Sequence, residues 1–483
     1  MQEKKPVPRR RCPMMLGRRQ FLATVSASAL AMKVGIFDFA SSLFGAEAPS
    51  PPARGPRIRA AFLRPNIKRF WMGWPGACYD IDGSEQLYRK TLAEAAEKLG
   101  VQLEFPEKPL YDANAVTGFL EGLKQNAPDG VLLTLMDMGR WGDANRFVQQ
   151  RGDLPTVVFS PMGTSFTGHL GTASRAKRVF LGATQDVGWL GTALKMFHAM
   201  WRMKNTRLLV VSGNAESERA LEVVGTTLRQ IPRSRFPEEL KKVEVTDEVK
   251  AMRDFYAKQA KKIVEPKEEA LINMAKNYVA ARRLMQAENC QGITMDCLGL
   301  VGSRIIPCPP CMAWLRLNDE GSVGACEADT SAAISLLLTS CLFDRSGFMQ
   351  DPAPNTVNNT LMGAHCSCPT KLDGFDRPPA DLILRSHSES EVGVSPQVLW
   401  RIGQKATIMK FEGPGSMIVG TGEVVANIDT PPSGGCRTSV ELKLDGVDDA
   451  RNTRGFHQLF MYGNLELGFR AYAQLAGINV AHI

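Results

Sequence analysis

From Arg57 onward the chain alternates short apolar runs with amphipathic stretches of roughly ten to fifteen residues, and this rhythm constrains the fold more than any other feature. Residues 57–65 (RIRAAFLRP) read as a buried strand. Residues 84–100 read as a helix, with Leu87, Leu92, Ala95 and Leu99 near helical spacing and Gly100 as its stop. Strands are expected again at 101–105, 130–136 and 155–160, with a helix at 115–125; such β-α-β units build a parallel sheet. A second set follows, with strands at 178–184 and 206–213 and helices at 188–203 and 216–230. Residues 248–289 are charged and helical, and Leu271, Met274, Tyr278 and Leu284 trace a core stripe rather than a cofactor box. Beyond Asp381 the texture changes to short β-like runs broken by Gly and Pro. This predicts a small β-rich, barrel-like module, closed by a helix at 465–476. The expected fold class is α/β: two doubly wound domains at 57–172 and 173–375, the second carrying metal-site residues, then a β-rich domain at 376–483.

Residues 1–56 read as an address and a linker. Arg18-Arg19 is followed at once by Gln20-Phe21-Leu22 and a short Ala/Ser-rich apolar stretch, as in a twin-arginine export signal, which predicts a periplasmic protein. Two A-x-A sites, at 29–31 and 46–48, compete for cleavage, and the Pro-rich stretch 48–56 cannot continue a helix. No later stretch is long or apolar enough to span a membrane. The formal net charge of +8 hints at nucleic acid, but most of it sits in the first nineteen residues. Without them it is about +2, too little for a polyanion partner, and nucleic-acid binding is excluded as a reading.

Few residues in the remainder offer chemistry. Glu327 and Asp329, in CEADT ahead of an apolar helix, would point the same way from extended backbone, although Asp329 also suits an ordinary helix N-cap. His365 (in LMGAHCSCPTKL) and His457 (in GFHQLFMYGN) are two of only six histidines. Two acids and two imidazoles together suit Mn²⁺ or another divalent cation. Cys308-Pro-Pro-Cys311 and Cys366-Ser-Cys368 admit a zinc site or a redox pair, but the spacing is poor for a zinc ribbon, and buried thiols are the favoured reading. Trp71 and Trp74 offer aromatic faces to a sugar ring, with buried packing the preferred expectation.

Four ordered segments resemble the C-terminal half of L-fucose isomerase and its L-arabinose relatives: CEADTSAAISLLL; LMGAHCSCP; DLILRSHSESEVGV with GGCRTSVEL; and GFHQLFMYGN leading into LELGFRAYAQLAGINV. The resemblance implies two α/β domains plus a β-rich domain, a bound Mn²⁺, and aldose–ketose interconversion of a small sugar through an ene-diol. It implies a metal and catalytic acid at Glu327 or Asp329, the two branches using different members of the pair. It also implies ligands at His365 and His457, sugar contacts at His457 and Arg437, and a homo-oligomer. The first catalytic Glu of the family is expected in GITMDCLGL, where the acid is Asp296, one methylene shorter, so the resemblance implies Asp296 as a further metal ligand and proton-transfer group. Two functions follow as expectations: a metal-dependent isomerase on a pentose or 6-deoxyhexose, or an exported sugar-binding protein without turnover.

Overall fold

A computed structural model describes residues 54–72, 74–430 and 435–483; the export-signal expectation lies outside them. The first apolar runs pair as expected, in an all-parallel sheet ordered Gln102–Glu104, Arg57–Leu63, Gly130–Leu135, Thr156–Ser160, Val179–Ala183. Gly130–Leu135 and Thr156–Ser160 are buried at every residue, the signature of strands covered on both faces. The helix Ile81–Leu99 begins where the Asp80 carboxylate accepts from the Gly83 N–H and stops at Gly100, whose φ of +66° is the left-handed C-cap predicted from sequence. Val179–Ala183 belongs to this sheet, so the boundary expected at 172–173 cuts through it.

The second sheet runs Val323–Cys326, Gly292–Met295, Arg207–Val211, Thr227–Ile231 in parallel, with Ser217–Ala220 antiparallel at its edge. The helix expected at 216–230 is therefore two strands. Val223 (φ +66°) and Gly225 (φ +75°) turn the chain back between them, and pairing with Arg207–Val211 overrides the local helix propensity. Residues 248–289 form two helices, Asp247–Gln259 and Glu268–Ala287, around the short strand Lys262–Ile263.

The third sheet closes on itself. Six antiparallel strands run in the order Lys405–Gly413, Gln458–Tyr462, Phe348–Asn355, Thr360–His365, Thr438–Leu444, Ser416–Asn427, and the last pairs with the first. The barrel thus starts well before Asp381. Its early strand, FMQDPAPN, hides behind two prolines. Phe348–Gln350 pairs with Gln458–Tyr462 and Asp351–Asn355 with Thr360–His365, so Pro352 and Pro354 lie where one edge of the strand is free.

The apolar helix Thr330–Phe343 packs between the second sheet and the barrel, and the Ser335 hydroxyl accepts from the Phe411 N–H at 2.9 Å. Its N-terminus therefore opens beside one end of the barrel. Among the described residues no helix is long and apolar enough to cross a membrane.

Candidate functional site: a carboxylate–imidazole cluster beside a thiol-lined wall

Strands of the second sheet end in this pocket. Cys297 follows Gly292–Met295 and Glu327 follows Val323–Cys326, at the carboxyl ends of parallel strands, where open α/β sheets bind ligands. The barrel supplies the facing wall. Asp351 stands where its strand leaves the Gln458–Tyr462 neighbour, His457 immediately precedes that neighbour, and His365 ends the strand Thr360–His365. The pocket encloses about 420 Å³ of empty space, its mouth included.

Glu327 does not reach this position from extended backbone. Glu327 (φ +59°), Ala328 (φ +54°) and His457 (φ +54°) are all left-handed, a conformation costly for residues with a Cβ and concentrated at functional sites. The turn at Glu327 and Ala328 separates the two acids to opposite edges of one imidazole. Asp329 caps its helix, accepting from the Ala332 N–H at 2.8 Å with one oxygen, while the other lies 2.8 Å from His457 Nδ1 and 3.1 Å from Lys410 Nζ. Lys410 also donates to the Phe456 carbonyl. The cap reading and the site reading of Asp329 are thus both realised, in different oxygens.

On the other edge of the ring, His457 Nε2 lies 3.5 Å from Glu327 Oε2 and 3.2 Å from Asp351 Oδ1. His365 Nε2 lies 3.7 Å from Glu327 Oε1. One ligand atom each of Glu327, His365 and His457 falls within 4.8 Å of the others, so the group could hold a metal ion. His365 and His457 are 2% and 3% exposed, which keeps water from competing for them.

The charges are tightly linked. His365 and His457 hold Glu327 down to about 2. Burial opposes ionisation of Asp329, but His457, the Ala332 N–H and Lys410 outweigh it and keep the carboxyl well below the usual range. Burial likewise opposes charge on His457, yet Asp329, Asp351 and Glu327 raise it to about 10.

Asp351 carries no motif that marked it in the sequence. The local signal is the alternation of Pro with other residues in Asp351-Pro-Ala-Pro, compatible with a strand at a free edge. Asp296 is placed elsewhere. It caps the helix Cys297–Gly302, and Arg233 Nη1 lies 2.6 Å from its second oxygen. Arg437 is fully buried, and its guanidinium donates to the Ser386 carbonyl and hydroxyl, so it braces the wall without facing the pocket. Trp71 and Trp74 correct the packing expectation: they are 69% and 51% exposed, on the hairpin Arg69–Met72/Ala77–Asp80, away from this site. Cys308 and Cys311 are both buried free thiols, as the preferred reading expected.

Comparison with known protein families and with curated proteins returned no match to this chain.

Proposed function

We propose that the protein is a divalent-metal-dependent aldose–ketose isomerase acting on a small sugar, a pentose or 6-deoxyhexose. The observation that carries the metal is a pair of buried atoms. His457 Nε2 and Asp351 Oδ1 are 3.2 Å apart and pair as ion and counter-ion while the ring is protonated, yet the contact is not aligned as a hydrogen bond, so the neutral ring leaves both atoms unsatisfied. Buried polar atoms are nearly always satisfied, and a shared cation satisfies both at once. Glu327, His365 and His457 would hold the ion, and Asp351, 3.2 Å from His457 Nε2, would join them. Two carboxylates and two imidazoles suit Mn²⁺ among the divalent cations.

When bound, such an ion would act as a Lewis acid on the sugar's carbonyl and so acidify the neighbouring C2–H. The chain's own groups do the rest. Asp329 accepts from His457 Nδ1–H, which fixes the tautomer and leaves Nε2 for ligation. Glu327 and Asp351 are the carboxylates at hand to take the C2 proton of the aldose and return a proton to C1 through an ene-diol. This moves the proton-transfer role from Asp296, which Arg233 engages.

The second reading, sugar binding without turnover, draws support from Glu327. A carboxyl held near 2 is a weak base at neutral pH. The two are separated by loading metal-stripped protein with Mn²⁺ and incubating it with a panel of aldoses in D₂O. The isomerase reading expects deuterium at C2 of one sugar by NMR. Tight binding of a sugar with no exchange in any of them leaves the binding reading.

A further inference from the structure

The carboxylate–imidazole cluster adjoins a chemically unlike part of the same pocket lining. That part is formed by Cys297, Cys311, Cys326, Cys366, His387 and Cys436. We propose that Cys311, Cys366 and His387 form a second metal site, selective for a thiophilic d¹⁰ cation such as Zn²⁺, with its fourth position open to the pocket.

The three donors come from separate parts of the fold. Cys311 opens the helix Cys311–Asp319, Cys366 follows the strand Thr360–His365, and His387 follows the strand Leu382–Arg385. One donor atom from each lies within 4.8 Å of the other two. Ligands bound tetrahedrally at about 2.3 Å (sulfur) and 2.0–2.1 Å (nitrogen) stand somewhat under 4 Å apart, so side-chain adjustment alone closes the set. All three residues are buried, at 2%, 8% and 5% exposure.

Each donor is also braced from behind. Asn277 Nδ2 donates to the Cys308 and Pro309 carbonyls, fixing the approach to Cys311. The Ser395 hydroxyl donates to the Cys366 carbonyl, and Arg437 donates to the Ser386 carbonyl next to His387. Ser390 Oγ lies 3.0 Å from His387 Nδ1. The Ser390 N–H donates to the same nitrogen at 3.3 Å, so the two contacts hold Nδ1 as an acceptor and fix the orientation of the ring.

Two thiolates and an imidazole prefer a soft or borderline ion, whereas Glu327, Asp351, His365 and His457 prefer a harder one. The two donor sets therefore sort cations by class, and binding at the thiol site releases the two thiol protons. Three protein ligands and one open position is the arrangement of catalytic rather than structural zinc, so the fourth position is available to a water or a ligand oxygen in the pocket. The site stands independently of the isomerase reading, because it shares no ligand with Glu327, Asp351, His365 and His457.

Co²⁺ reports on this directly, because thiolate ligation gives a charge-transfer band in the near ultraviolet that carboxylate and imidazole ligation do not. Full-length protein, metal-stripped and reduced under argon, is titrated with Co²⁺ and then with Zn²⁺. The expected result is one equivalent of cobalt under the charge-transfer band, displaced by zinc. Cys311→Ser and His387→Ala, tested separately and checked for folding by circular dichroism, each weaken this binding at least tenfold. Glu327→Gln keeps the band. No charge-transfer band in the reduced wild type overturns the proposal without touching the carboxylate site. So does a band undiminished in folded Cys311→Ser and His387→Ala.

Discussion

His457 is gripped from both edges of its ring, by Asp329 at Nδ1 and by Asp351 and Glu327 at Nε2, and its protonation governs the metal-free site. Burial disfavours its charge, but the three carboxylates raise it from 6.5 to about 10. The folded chain therefore keeps a proton that the unfolded chain releases. The resulting stabilisation is complete below about pH 6.5 and is lost as pH climbs towards about 10. Metal ligation at Nε2 must displace that proton, so affinity follows the opposite course. The Tm of metal-free protein is expected to fall between these pH values, while the increment given by saturating Mn²⁺ grows. A flat metal-free profile by differential scanning fluorimetry contradicts this. Asp329 has a separable role. Asparagine caps helices as well as aspartate does, so Asp329→Asn should leave the cap intact while costing about 10–100-fold in Mn²⁺ affinity, measured by titration calorimetry. Of this site, Glu327, Asp329, His365 and His457 were legible as residue types in recognisable segments. Asp351 was not, because a lone acid between a buried Gln and a Pro has no local pattern; only the pairing of distant strands gives it meaning.

The elements that place these residues carry local strain and close contacts. Ala328 adopts a left-handed φ of +54° between the second sheet and the helix Thr330–Phe343. Glycine has no Cβ penalty there, and Ala328→Gly should stabilise the fold by up to about 1 kcal/mol in urea unfolding. Loss of stability would mean that the turn is not strained. Gly324 shows the reverse. A Cβ there would sit 2.6 Å from Trp314 Cα, so the strand Val323–Cys326 lies directly on the helix Cys311–Asp319. Gly324→Ala is expected to cost about 1–3 kcal/mol by the same assay. At this scale the sequence was most informative where strands are buried on both faces, as in GVLLTL, and where caps are explicit, as at Gly100. It misled at residues 216–230, where helix-forming residues are recruited into paired strands, and at FMQDPAPN, where two prolines mask a barrel strand. In both places partners far along the chain outweigh local preference.

Across the described molecule, an open α/β sheet meets a closed barrel, and their junction puts hard and soft ligands side by side in one pocket. The α/β-plus-barrel layout was readable from the alternation and its change of texture, but the division between layers was not. Val179–Ala183 returns to the first sheet, and the barrel recruits two strands from before Asp381. If the Arg18-Arg19 pair directs export, replacing both by Lys should leave the protein in the cytoplasm on cell fractionation. The central claim is that Glu327, Asp351, His365 and His457 bind one divalent ion. Electron paramagnetic resonance of Mn²⁺ added to metal-stripped protein tests it most directly, because the sharp signal of the free ion disappears on binding. The account predicts loss of that signal up to one equivalent in the wild type, and binding weakened at least tenfold in Asp351→Asn and His457→Ala. Free-ion signal from the first addition to wild type, or unchanged binding in folded Asp351→Asn, would contradict it.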